Sequence, residues 1–249
     1  MDIPTIPDIE RACLTAVPAH RVALDGSAII RAGAGPGGSG RANSACWLDP
    51  GDDADLGARL ARIEDWYMRL GRVPRIRVTP LTPPALERLL AHRAWARSVE
   101  TVVMAAPLDS LPLPDGDTLM EEGPSEEWLT VREEGGTASP ARMIEKRDTA
   151  SLLLVPGAWI SASAEGRVAA VAFAAAVGPI AILGDVTTMQ AFRGQGFGRR
   201  VCVAALGWAR SEGAQWGALQ VEADNDAALS LYRRLGFREV YRYVYRELG

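Results

Sequence analysis

The stretch RGQGFGRR, residues 193–200, lies between a run of apolar residues and a segment with helical periodicity. Glycines at 194, 196 and 198 let the main chain turn tightly and leave its N–H groups uncovered. Those groups point at whatever sits over the start of the following helix, where the macrodipole also favours an anion. Arg193, Arg199 and Arg200 add fixed positive charge. The loop therefore imposes a strand–turn–helix unit with an anion site suited to a pyrophosphate. Its spacing is not the G-x-G-x-x-G fingerprint, and no chain-initial βαβ unit surrounds it, so a Rossmann reading is poor. Alone, the loop also fits an ordinary glycine-rich turn with solvated arginines.

The surroundings supply the remaining elements. The apolar tract 168–183 is interrupted by Gly178 and Pro179 and reads as two buried strands, with a hairpin turn upstream at Glu165–Gly166. GRRVCVAALGWARSEG reads as a helix with Val201, Ala205, Trp208 and Ala209 facing the core. WGALQVEA follows as a strand. NDAALSLYRRLG is a helix capped by Asn225 and closed by Gly236, and FREVYRYVYREL a long alternating strand. Upstream, Leu56, Leu60, Ile63, Tyr67 and Leu70 define one face of a helix over about 53–70, which Gly71 stops. RIRV at 75–78 is a strand, Pro83–Pro84 open a second helix, and VETVVMAA at 99–106 is another strand. EEWLTVREEGG at 126–136 reads as an acidic amphipathic helix. The fold class is α/β (α+β): a mixed, mostly antiparallel sheet flanked by helices. Three prolines in PLDSLPLPDGD, 107–117, mark a boundary between a unit at 1–110 and a unit at 111–249.

The ordered set VTTMQAFRGQGFGRR … LQVEADNDAALSLYRRLGF resembles the GNAT acetyltransferase superfamily. Arg193, Gly194, Gln195, Gly196, Phe197 and Gly198, with Arg199 beyond, match that family's acyl-CoA pyrophosphate loop. Asn225, Ala228, Leu231, Tyr232, Leu235, Gly236 and Phe237 match its N-x-x-A-x-x-L-Y-x-x-L-G-F signature. The resemblance covers roughly residues 115–249 and implies acetyl-CoA as cosubstrate, with no metal. It also implies a bulged strand ahead of the loop, whose unpaired N–H groups suit a thioester carbonyl and a pantetheine amide; here Val186, Thr187 and Thr188 would make these contacts. The family commonly has proline three residues before the loop arginine, where this chain has Gln190.

Under that resemblance Tyr232 is the candidate general acid. A phenol of pKa near 10 stays neutral at pH 7 and donates toward a departing thiol group of pKa about 8.5. A packing tyrosine at a helix–sheet contact is the alternative. For the general base, N-terminal acetyltransferases sharing the LY..LGF ending often place Glu where this chain has Gln220, and an amide is no base. Glu222, two residues along the same strand face, and Asp185 on the preceding strand are the candidate carboxylates, each also readable as a strand-end charge. Tyr241, Tyr243 and Tyr245 share one face of the last strand, either lining an amine groove or packing across strands.

A faint internal repeat accompanies the motif block. YMRLG at 67–71 echoes YRRLG at 232–236, but little else matches in that register. An offset of 142 residues does better: Trp66 falls on Trp208, Gly71 on Gly213, Pro83 on Asn225, Leu89 on Leu231 and Trp95 on Phe237. In this register LDPGDDAD at 48–55 takes the place of the phosphate loop, with four aspartates that repel a pyrophosphate, and Leu90 stands where Tyr232 stands. The N-terminal unit thus resembles a degenerate, non-catalytic GNAT-like copy in a tandem arrangement.

Composition excludes several classes. Net charge of −4 gives no overall attraction to nucleic acid or acidic membranes. The three cysteines lack metal-ligand spacing, and an odd number argues against a disulfide framework, as expected of a cytoplasmic chain. No apolar run approaches the roughly 18 residues of a membrane span. Lys146 is the lone lysine, and the Ala-, Gly-, Pro- and Arg-rich composition points to a GC-rich bacterial source. The expected activity is acetyl transfer from acetyl-CoA to a primary amine, by direct attack in a ternary complex. The acceptor is a small-molecule amine or a peptide N-terminus, and the chain a monomer or homodimer. The alternative is a non-catalytic acyl-CoA-binding sensor or scaffold.

Overall fold

The computed structural model describes residues 3–98, 100–112, 114–135 and 139–249; the start of the strand expected at 99–106, part of the 107–117 boundary and the end of the helix expected at 126–136 lie outside them. Twelve strands form one sheet: β1 (Arg21–Asp25), β2 (Ala28–Ala32), β3 (Ala45–Trp47), β4 (Arg75–Val78), β5 (Ala96–Arg97), β6 (Thr101–Pro107), β7 (Leu119–Glu121), β8 (Gly157–Ala164), β9 (Arg167–Val177), β10 (Ile180–Thr188), β11 (Trp216–Glu222) and β12 (Arg238–Glu247). The helices are α1 (Ile6–Ala16), α2 (Leu56–Arg69), α3 (Pro84–His92), α4 (Glu126–Gly135), α5 (Pro140–Leu152), α6 (Phe197–Ser211) and α7 (Asp226–Arg234). Strand order is β1-β2-β3-β4-β12-β6-β11-β10-β9-β8-β7, with β5 against β12. Pairing is antiparallel except at β3·β4 and β10·β11.

The local chemistry accounts for the elements around the motif block. Glu165 and Gly166 both take positive φ, 51° and 74°, the geometry of the two-residue turn that matches strand twist. It joins β8 to β9, whose alanine-rich middle is buried on both faces. One face is covered by α6, which sets Val201, Ala205, Leu206 and Ala209 into a core shared with Leu183, Leu219 and Phe237. The other carries α1 and α4, with Ile9, Cys13, Trp128 and Leu129 against Val171, Phe173 and Ile182. A third core lies under α2 and α3, where Leu60, Ile63, Leu86 and Leu90 meet Trp47 and Ile76.

The offset of 142 reappears in the elements. Helix α7 at 226–234 and α3 at 84–92 stand at that separation, and α6 and α2 end at it, at Ser211 and Arg69. Each pair follows a parallel strand couple, β10·β11 in one case and β3·β4 in the other. The last strands are exchanged: β6 pairs with β11 along its length, whereas β12 pairs with β4 through Val244↔Val78 to Glu247↔Arg75. The two then pair with each other at the middle of the sheet. The segment after β6 is also tied in, because Leu108 and Leu111 are buried in the α6 core.

Candidate active site

Strands β10 and β11 are hydrogen-bonded only from Ile180↔Trp216 to Leu183↔Leu219. Beyond that point β10 carries a bulge between Gly184 and Thr187, with Asp185 at φ 54°. A left-handed residue inside a strand swings the chain out of register, so the two strands diverge into a V. Thr187 is buried at the bulge, its hydroxyl donating to the Asp185 carbonyl at 3.2 Å. Past β10 the chain makes a short 3-10 turn, Gln190–Phe192, held by the Phe192 N–H donating to the Met189 carbonyl at 2.9 Å; the turn forms with Gln190 where the family has proline.

Gly196 caps α6 at φ 88°, and among the described residues no side chain caps the N-terminus of that helix. A 15-residue helix with an open, glycine-lined N-terminus presents its positive end to whatever lies above it. What lies above is a cleft of about 750 Å³. Val186, Thr187 and Thr188 form one wall, Arg193, Gly194, Gly196, Phe197, Gly198 and Arg199 the floor, and Asn225, Leu231 and Tyr232 of α7 the other wall. Gln195 is not part of this lining and donates its side-chain amide to the Ala191 carbonyl at 3.1 Å. Arg199 is ion-paired to Asp115 at 2.6 Å, and Arg200 lies 4.9 Å over the Phe197 ring. The Asn225 side chain accepts from Ala228 N–H at 3.1 Å, so its work is to cap α7 and fix the helix that presents Tyr232. Burial pushes the Tyr232 phenol well above its ordinary range, with Cys202 adding to the effect. Beside the cleft the phenol is therefore neutral at pH 7 and a weaker acid than an exposed tyrosine.

The two carboxylate candidates lie elsewhere, in a cavity of about 200 Å³ also lined by Arg41, Arg132, Lys146 and Tyr243. Asp185 is ion-paired to Lys146 at 2.7 Å and to Arg132 at 3.2 Å. Burial pushes its carboxyl upward, but these two cations overcome that and pull it down to about 2. So held, Asp185 is a weak base and a fixed counter-ion. Glu222 sits at the exposed end of β11 on the cavity rim. Gln220, inside the V, accepts the Tyr243 hydroxyl at 2.7 Å, which aims that ring along the cavity wall. Tyr243 and Tyr245 line the cavity, whereas Tyr241 is buried and donates to Glu10, itself paired to Arg77 at 2.8 Å.

Arg41 and the ion-paired role of Lys146 are absent from the sequence-level expectations. The glycine-rich loop 33–40 was the available signal. It wraps the buried Glu145 of α5, which accepts the Ser39 N–H at 2.9 Å and the Asn43 side-chain amide at 2.7 Å. A Cβ at Gly33 or Gly38 would lie 2.1 Å from a Glu145 oxygen, so any larger residue there would displace the Glu145 carboxylate. This clasp delivers Arg41 into the cavity.

The family model described as "Probable histone acetyltransferase Rv0428c C-terminal" matches residues 4–246. The Bacillus subtilis protein named uncharacterized N-acetyltransferase YobR is 26% identical over 251 residues, 97% of this chain and 98% of its own length. Among solved structures, a GCN5-related N-acetyltransferase from Kribbella flavida superposes with TM-score 0.74 at 19% identity, covering 99% of this chain and 96% of that one. A tandem GNAT protein from the clavulanic acid biosynthesis pathway superposes with TM-score 0.64 at 17% identity, covering 89% and 78%. A whole-chain family match, on a fold with a bulged strand and an open glycine loop, makes this chain a GNAT acetyltransferase of the family that the model describes.

Proposed function

We propose that the protein transfers an acetyl group from acetyl-CoA to a primary amine within a ternary complex. The observation that carries this reading is the uncapped N-terminus of α6 under a cleft that adjoins the V between β10 and β11. The residues present fit the cosubstrate. The main-chain N–H groups from Gly194 to Arg199 would hold its diphosphate, with Arg193 adding charge at the edge. Past the bulge, where β11 no longer pairs with β10, N–H groups at Val186–Thr188 would take the thioester carbonyl and the pantetheine amide. Acetyl-CoA supplies an activated acyl group with a thiol as leaving group.

On this reading Glu222, directly or through water, takes a proton from the acceptor ammonium. The amine nitrogen then forms a bond to the acyl carbon as the carbon–sulfur bond breaks. Tyr232 gives its proton to the departing sulfur. Of the two protons the ammonium loses, one restores Tyr232 and the other leaves to solvent. Asp185 orders Lys146 and Arg132 around the acceptor. The N-terminal unit, 1–110, fits a non-catalytic copy, with aspartates where the phosphate loop would stand ahead of α2. Asp52 accepts from the Ser27 N–H at 2.7 Å and from Arg59 at 2.8 Å, which fixes a carboxylate there that would repel a phosphate.

The test is calorimetry with acetyl-CoA on the parent and on Gly196→Asp, together with thiol release over an amine panel. Heat that the acidic substitution removes, and turnover with at least one amine, are expected. Heat that survives the substitution, or no thiol release with any amine, refutes the reading.

A further inference from the structure

Resting on acetyl transfer at this site, the charges of the smaller cavity identify what the amine is attached to. Arg41, Arg132 and Lys146 converge on it around one inner carboxylate, Asp185. That carboxylate is taken by Lys146 and Arg132. Arg41 comes from the other unit, donates to the Gln220 carbonyl at 3.2 Å, and has no carboxylate within ion-pair distance among the described residues. Burial disfavours the Arg41 charge, but Tyr243, Tyr245 and the more distant Asp185 outweigh it; no carboxylate bonds its planar fork, which suits one. At the rim of the same cavity stands Glu222, an acidic group outside every ion pair described. The cavity lining therefore offers a guanidinium with no bonded carboxylate and a carboxylate outside every ion pair described.

We propose that the acceptor is a small zwitterion, an amino-acid-type molecule whose carboxylate binds Arg41 while its ammonium faces Glu222. The volume of about 200 Å³ holds a few heavy atoms and not a folded peptide segment. The surplus of positive charge around Asp185 opposes a lysine-rich tail, which would bring like charge against Arg41, Arg132 and Lys146. The N-terminal unit then has a defined part: the clasp of loop 33–40 on Glu145 fixes Arg41, the residue that selects the acceptor.

The experiment compares each common amino acid with its own carboxamide, which keeps the amine and loses the carboxylate, and adds a lysine-rich peptide. Binding is read by calorimetry on protein saturated with coenzyme A, and turnover by thiol release with acetyl-CoA. At least one amino acid should exceed its carboxamide by roughly tenfold or more in affinity and kcat/KM, the effect of one charge-assisted contact. Arg41→Gln should bring that ratio near one, with the loss in KM, and leave acetyl-CoA affinity unchanged; Arg41→Lys should restore part of it. The parent comparison needs no variant, so a folding defect in either substitution leaves the test intact. Equal or better use of carboxamides or of the lysine-rich peptide, or no binding of any amino acid, overturns the proposal. Amino-acid binding without thiol release would instead sink acetyl transfer and keep the zwitterion site.

Discussion

At the scale of single residues the proposed chemistry divides between two enclosures. Tyr232 lines the large cleft, Glu222 and Asp185 the small cavity, and β10 contributes to both linings. Tyr232→Phe removes the proton donor and little packing, so kcat should fall roughly a hundredfold or more while acetyl-CoA affinity holds; retention of kcat within a factor of two would remove the acid role. Asp185 offers a check by pH. Its carboxyl is held at about 2 against an ordinary value of 3.8, so its ion pairs stabilise the fold above pH 4 and are lost as pH falls toward 2. Asp185→Asn should therefore cost about 2 kcal/mol at pH 7, by denaturant unfolding, with the gap from the parent closing between pH 4 and 2. A gap that does not change with pH would place the cost in packing. In the sequence Tyr232 is singled out by the resemblance of its LY..LGF motif, and Glu222 and Asp185 by their places on two strands. Arg41 is not: its place is set by contact with Gln220, 179 residues away, and no local spacing encodes that.

At the scale of elements, those with strong periodicity were legible. Helices α2, α3, α6 and α7 and strands β9 to β12 fall where the apolar pattern, caps and glycine stops put them. Helices α1 and α5 and strands β1 to β3 were not found. β1 is mostly exposed and alternates weakly, β3 is three residues long, and α5 buries little beyond Ala141 and Glu145. The glycine-rich composition of residues 33–40 alone suggests a flexible loop, yet it is tied to Glu145 through Ser39 and Asn43 and to Arg72, which donates to the Gly33 carbonyl at 2.7 Å. Glycine there serves close approach. Gly38→Ala would set a methyl 2.1 Å from a Glu145 oxygen and 2.5 Å from the Asn43 amide nitrogen, so the clasp must open. We expect a loss of about 1–3 kcal/mol in stability, and a larger rise in acceptor KM than in acetyl-CoA KM, since the loop carries Arg41 and not the cleft. Equal rises in both constants would show a global defect.

At the scale of the molecule, the tandem arrangement read from the offset of 142 residues describes the order of elements, while their pairing departs from two sheets lying side by side. Strand pairing between distant segments has no sequence signature beyond alternation, so the exchange of β6 and β12 could not be read ahead of the structure. Its consequence is thermodynamic. β11 has β6 as its antiparallel neighbour and β4 has β12, so neither unit completes its own sheet. Buried contacts cross the exchange as well: Arg77 on β4 stacks 4.0 Å over the Tyr243 ring on β12, and Glu10 on α1 accepts from the Tyr241 hydroxyl on β12. The two units should therefore unfold together. Variants keeping only Trp47, Trp66 and Trp95, or only Trp128, Trp159, Trp208 and Trp216, report on the two halves separately, and their fluorescence midpoints in urea should coincide with each other and with loss of circular dichroism. A fragment of residues 111–249 would leave β11 and β12 each without β6 and should aggregate, since exposed central strands template pairing between chains. Separate midpoints, or a soluble and cooperatively folded fragment, would mean that the exchanged strands are not what joins the halves.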